Sequence, residues 1–284
     1  MGGLRARTVN GLSGAAVISA AARRARALSP GGAVAATLAG GAVFAGAGTR
    51  GGATLVAFFL SSTVLGRLPA GAAIEQRRGN ERDAVQVFAN GGVAALLALA
   101  SLRGTQRSRS PLLAGFGGAT AAAAADTWAT EIGSRSRQRP RSIATLRHAA
   151  PGVSGGVTPA GLAASAAGAT FIAGVSACDF YESPTCILLR AFPVAFGGII
   201  GSLADSVLGA TVQEVRFCDH CGLESEHHVH HCGAQTRHIR GMSWCNNDTV
   251  NATATAVGAV TAIITDIVSR NHGVVRATWR RPRD

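Results

Sequence analysis

AAAAADTWATEIG, residues 121–133, begins like the interior of a hydrophobic helix and then delivers Asp126 and Glu131 with no cation in the stretch. In water such a helix could turn both carboxylates outward, whereas in lipid each must find a partner within the protein. The solvent around this helix therefore decides the fold and the meaning of the two acids.

Outward from this stretch, apolar residues arrive in long blocks of Ala, Gly, Val and Leu instead of short periodic stripes. Hydrophobic residues make up 47% of the chain and aromatics only 5%, unlike a mixed globular domain. Uncharged runs cover 28–49, 51–66, 84–102, 110–125, 155–177, 191–204 (continuing past Asp205 to 213) and 249–265, with a shorter one at 8–22. Several reach the ~17–25 residues that cross a bilayer. GGAVAATLAGG and GGIIGSLADSVLGA add the small-xxx-small spacing that lets membrane helices approach closely. A soluble Ala-rich bundle is the alternative, and run length argues against it. These features predict an all-α fold: a polytopic membrane bundle of about seven or eight transmembrane helices. Residues 1–284 would form a single multi-pass integral membrane domain, in the cell membrane if the source is prokaryotic.

The formal net charge is +12, and all 27 basic residues are Arg. Without Lys, a Walker A lysine and any Schiff-base mechanism are excluded. The arginines sit between apolar runs, where cytoplasmic loops carry them, so the partner this charge predicts is the lipid bilayer and not nucleic acid.

When the runs are alternated across a bilayer, five polar motifs fall at one face. RDAVQVFANGG begins one helix, ADTWATEIG ends the next, GVSGGVTPAG begins another, SLADSVLGA lies near a helix end, and NNDTVNA begins the last. Arginine bias, though small, puts this face in the cytoplasm. Convergence of five helix ends predicts one site. Within it, Asp126 and Glu131 stand about 140° apart and about 7.5 Å along a regular helix, so they cannot grip one ion as a pair. Partners from other helices are expected, with Asp205 and Asp248 the candidates. Asp248, Asn247 and Asn251 share a face, and an N-cap by Asn247 or Asp248 would explain only one of them.

The loop GVSGGVTPAG can expose backbone N–H groups at Ser154, Gly155 and Gly156, and Thr158-Pro159 is a good N-cap and first-turn pair. Such a loop suits an anion. Beside several carboxylates an anion needs a bridging cation, which points to Mg2+ with a phosphorylated substrate. Arg82, Arg135 or Arg237 would supply a cationic clamp.

Residues 214–247 form a Cys/His-rich loop on the same, cytoplasmic face. Cys218 and Cys221 make CxxC, and His231 with Cys232 completes a tetrahedral structural zinc set, with His227, His228 and His230 competing for the histidine place.

In this order, ERDAVQVFANGG, ADTWATEIG, GVSGGVTPAG, GSLADSVLGATVQ and NNDTVNA resemble the integral membrane family once called domain of unknown function ninety-two. LSPGGAVAATLAGG and FFLSS fit too, so the resemblance covers about residues 28–268, with CDFYESPTC as a local insertion. It implies a kinase that turns an isoprenoid (phytyl or prenyl) monophosphate into its diphosphate at the expense of a nucleoside triphosphate, as the plant chloroplast member does. The matching positions are Asp83, Gln86 and Asn90; Asp126, Thr127 and Glu131; Gly155 and Gly156; Asp205 and Gln213; and Asn247, Asp248 and Asn251. The expected roles are Mg2+ holding by Asp126, Glu131, Asp205 and Asp248, charge neutralisation by Arg82, and substrate binding by the other matched polar residues with Ser154 and Thr158. A transporter or channel built on the same carboxylates, or a scaffold without chemistry, is the rival reading. A transporter would centre its polar groups at the midplane and often shows two related halves.

Overall fold

The computed structural model describes residues 2–68, 81–149, 152–178 and 184–271, which leaves 179–183 of the CDFYESPTC insertion outside it. Among the described residues seven helices carry the fold: α1 (Gly2–Arg24), α2 (Pro30–Arg67), α3 (Ala84–Arg103), α4 (Gln106–Gly133), α5 (Pro159–Ala177), α6 (Pro184–Thr211) and α7 (Asn247–Asn271). Their starts follow from local chemistry. Ser29 accepts the Gly32 N–H at the head of α2, Thr105 and Thr158 cap α4 and α5, and Asp83 with Gln86 forms a reciprocal capping box on α3.

The two expected segments 28–49 and 51–66 appear as the arms of α2. Gly48 breaks the helix at φ 68°, ψ −160°, a conformation that a side chain would strain. The chain reverses there. Arg67 at the far end donates to the Ala25 carbonyl at 2.7 Å, just before the near end. A Cβ added at Gly52 would lie 2.6 Å from Phe44 Cδ2, so the arms touch beside the tip. Eight expected segments thus become seven helices, one of them folded on itself.

Helix α4 is the central post. From Gly115 to Ala125 every residue is buried, and the helix packs against α2, α3, α5, α6 and α7. A helix apolar on all sides belongs inside a bundle, and its Ala and Gly content permits close neighbours. Added Cβ atoms at Gly118 and Gly197 would come within 2.6 and 2.5 Å of the Gly258 carbonyl, which brings α4, α6 and α7 together at one point. Around this core, large apolar side chains such as Val34, Leu60, Leu96, Leu188 and Ile264 face outward. Among the described residues five helices (α2, α3, α5, α6 and α7) are long and apolar enough to cross a membrane. The outward apolar belt and the buried Ala/Gly seam are those of a protein dissolved in lipid.

Between α6 and α7 the Cys/His-rich segment folds as an antiparallel sheet, β3 (Val215–Cys218), β4 (Leu223–Ser225) and β5 (Arg237–Arg240), in the order β4-β3-β5. The excursion closes at a neck where Met242 N–H donates to Val212 O and Glu214 N–H to Cys245 O. Arg240 reaches back to the Gly209 and Ala210 carbonyls, satisfying the last turn of α6. A smaller pairing joins β1 (Arg141–Ser142) to β2 (Gly156–Val157), which leads into α5.

Candidate functional site

The heads of α3, α5 and α7, the ends of α4 and α6 and both ends of the α2 hairpin lie at one end of the bundle, where the β3–β5 excursion also leaves and returns. At its centre Asp126 on α4 and Asp205 on α6 face one another, close enough for one carboxyl to share a proton with the other. Asp205 Oδ2 is buried with no hydrogen-bond partner among the described residues. Two acids facing one another in a low-dielectric interior need a shared proton or a cation to be stable. All the donors are hard carboxylate oxygens, the set that suits Mg2+.

Glu131 takes a different course. It pairs with Arg135 at 3.1 Å, and Arg135 also donates to the Leu65 and Leu68 carbonyls at the end of α2. One turn and a half beyond Asp126, Glu131 thus faces the end of α2 and an arginine. Arg135 is committed to the same contact, and Arg237 pairs with Asp219 at 3.0 Å on the sheet, so of the three clamp candidates Arg82 remains. Arg82 lies 5.8 Å from the Phe59 ring centre, with Glu131 acting on it electrostatically and burial lowering its pKa.

Asp83 and Gln86, expected to bind substrate, are tied into the α3 capping box, with Gln86 N–H donating to Asp83 Oδ1 at 2.9 Å. Asn90 donates to the Gln86 carbonyl at 3.0 Å and Thr127 to the Ala123 carbonyl at 2.8 Å. Gln86, Asn90 and Thr127 nevertheless line a cavity, described below. At α7 the N-cap is Asn246, which accepts the Thr249 N–H at 3.0 Å. The expected cap by Asn247 or Asp248 is thus replaced, and Asp248 in the first turn lies within electrostatic reach of Asp83. Asn251 is half-buried on the next turn.

The 154–158 loop offers fewer free donors than its sequence suggested. Ser154 donates its hydroxyl to Glu226, Gly156 N–H goes to the Val153 carbonyl, and Thr158 caps α5 by accepting Gly161 N–H at 3.0 Å. Gly155 presses on the end of α6, where an added Cβ would fall 2.4 Å from Ala210. Its role in the geometry is to lock α5 onto α6. Beside it, Gln213 is only 2% exposed and its Nε2 has no partner among the described residues. A buried orphan donor is as informative as an orphan acceptor, since each normally has a partner.

Sequence reasoning missed Glu226. It sits among histidines and follows no helical period, yet it bears electrostatically on Asp126, Asp205 and Asp248. In the sheet, Cys218, Cys221, His230 and Cys232 place their ligand atoms within 4.8 Å of one another. Cys218 Sγ and Cys232 Sγ are 3.7 Å apart, matching the ~3.8 Å edge of a zinc tetrahedron with ~2.3 Å bonds. His230 Nδ1 is 3.3 Å from Cys232 Sγ and holds that thiol down to about 6. His231 is not in this group, so the histidine place passes from His231 to His230, one of the competing histidines. The reason is the turn: Gly233 N–H donates to His230 O at 2.8 Å just as Gly222 N–H donates to Cys218 O at 2.8 Å. Each turn is closed by a glycine at positive φ, and each aims its first and penultimate residues inward.

A cavity of about 350 Å³ opens beside these groups, walled by α1, both arms of α2 and α3. Ile18, Ala36, Phe44, Val56 and Phe59 make it apolar, while Arg82, Gln86, Asn90 and Thr127 form its polar end. From Leu28 at the mouth to Phe44 near the hairpin tip it follows roughly 20 Å of helix.

The family model for integral membrane protein DUF92 matches residues 13–259. Protein PGR of Arabidopsis thaliana is 33% identical over 245 residues, covering 78% of this chain and 83% of the relative. An uncharacterized membrane protein of Methanocaldococcus jannaschii is 27% identical over 210 residues, 72% of this chain and 73% of that one. No solved structure matches the chain.

Proposed function

Because this chain belongs to the integral membrane protein family DUF92, we propose that it is a membrane-embedded phosphotransferase that converts an isoprenoid monophosphate into its diphosphate. The observation that carries this reading is the joining of two unlike spaces. An apolar cavity that follows the membrane helices ends at Arg82, Gln86, Asn90 and Thr127, and Thr127 adjoins Asp126 of the carboxylate pair. A molecule that fills both has a hydrocarbon tail and an anionic head.

Asp126, Asp205 and Asp248 would hold Mg2+, which when bound supplies the positive charge that lets phosphate oxygens approach carboxylates. The remaining work belongs to the chain. Arg82 neutralises the acceptor head at the mouth of the cavity, and its stacking on Phe59 fixes its position. Gln86 and Asn90 orient the head, and Gln213 offers its buried Nε2 to a phosphate oxygen. An oxygen of the acceptor monophosphate attacks the terminal phosphorus of the donor, and the bond to the nucleoside diphosphate breaks. No general base is needed, because the attacking oxygen is already anionic at neutral pH. The Cys218, Cys221, His230 and Cys232 set would hold zinc with four ligands and no open position, a structural ion.

The acids occupy end turns near one membrane face instead of the midplane, which favours transfer at an interface over translocation. The test is to incubate the purified protein with phytyl or geranylgeranyl phosphate, Mg2+ and each nucleoside triphosphate. Diphosphate from the wild type and none from Asp126→Asn is the expected result. Failure of every substrate, with ion movement in proteoliposomes, would overturn it.

A further inference from the structure

Every carboxylate assigned above to the cation site comes from a helix of the bundle, but Glu226 comes from the Cys/His-rich excursion. It leaves β4 immediately after Ser225, which is paired with Arg216 on β3. Four residues later the chain reaches His230. The segment 223–229 therefore runs between the two metal-binding turns, 218–222 and 230–233, with both its ends pinned by ligand residues. Its middle is clamped as well: Thr236 Oγ1 contacts the His227 and His228 carbonyls at 2.6 and 3.0 Å, and Arg216 Nε donates to Thr236 Oγ1 at 2.8 Å. Held this way, half-buried Glu226 accepts the Ser154 hydroxyl, beside the end of α6, the helix that carries Asp205. Among the described residues, Glu226 is also a group that acts electrostatically on all of Asp126, Asp205 and Asp248.

We propose that Glu226 is a further carboxylate of the membrane-face cation site, delivered there by the Cys218/Cys221/His230/Cys232 turns, so that metal in the sheet sets cation affinity in the bundle. The inference rests on the proposed cation site but not on the identity of the phosphoryl acceptor. An exposed loop of polar residues has little apolar area with which to fix a side chain. Four metal bonds do it instead, at the two ends of the segment where the constraint is most effective. Removing that metal frees both ends, and Glu226 loses its station against Ser154 while the helices keep their own packing.

The test uses the full chain in nanodiscs, with Mn2+ as the probe and its affinity read by electron paramagnetic resonance, and with zinc content measured in parallel. Glu226→Gln is expected to keep its zinc and lose about tenfold in Mn2+ affinity, the size of effect typical for a supporting metal-site group. Stripping zinc from the wild type with a chelator, and separately Cys221→Ser, should reproduce that loss. Zinc removal in the Glu226→Gln variant should add nothing further. The chelation arm keeps the test decisive if Cys221→Ser does not fold. Unchanged Mn2+ affinity in Glu226→Gln, additive losses in the combined case, or no Mn2+ binding by the wild type would each overturn the proposal. Because Mn2+ binding is read without turnover, a protein that binds Mn2+ as described but makes no diphosphate would sink the kinase reading and leave this one standing.

Discussion

Two buried acids occupy opposite ends of the bundle and have been treated in opposite ways. Asp266, near the end of α7, is 8% exposed and meets Arg270 one turn on at 2.8 Å, with Arg190 nearby and Ser110 bonded to the same arginine. Asp205 on α6 meets another acid, Asp126, and keeps one oxygen without a partner. The first is an ion pair, with opposite charges 2.8 Å apart on one helix although the contact is not aligned as a hydrogen bond. Among the described residues the second has no cation from the chain beside it, and it stands only with a shared proton or a cation from outside. A carboxylate in lipid marks a site only when its partner is absent from the protein; burial alone does not make the distinction.

The comparison breaks most visibly if the two acids are neutralised in turn. Asp126→Asn and Asp205→Asn should each lower phosphoryl transfer by about 10³-fold, as removal of a transition-state charge contact does, while thermal unfolding stays the same or rises. Asp266→Asn should do the reverse. Leaving Arg270 without its acid costs about 3 kcal/mol, the low end for a broken buried pair because the arginine keeps Ser110 and some exposure, and activity per folded molecule is retained. Thermal shift and turnover measured side by side check both. Phe44→Ala should lengthen the apolar cavity at the hairpin tip and shift acceptor preference by about tenfold toward longer chains, read from kcat/KM across a prenyl phosphate series. The smallest effect is expected at Glu131→Gln, a few-fold loss in kcat, since Arg135 and not the cation site is its partner. A loss as large as that of Asp126→Asn would return Glu131 to the site.

Much of this was readable from the residues because lipid leaves little choice. Run lengths gave the segments, helix direction gave the common face, and the 140° between Asp126 and Glu131 required that they part company. What could not be read lies where chain direction stops being helical. Whether His230 or His231 faces the metal depends on a hydrogen bond closing a turn at Gly233, which residue spacing does not reveal. Glu226 was hidden because the sheet, with its own register, sets its direction. The capping role of Asn246 and the engaged donors of the 154–158 loop are local hydrogen-bond choices among adjacent polar residues. Sequence offers several equivalent answers there and packing selects one.

The hairpin of α2 also sets the parity of the whole topology. A straight helix of its 38 residues would extend about 57 Å, well beyond the ~30 Å of a bilayer, and would count as a single crossing. Folded at Gly48 it counts as two, and every helix after Arg67 runs in the opposite sense to the one it would otherwise have. The acids of α4 and α6 meet at the end where α7 begins because the number of crossings before them is right, and that number is decided by one residue without a side chain.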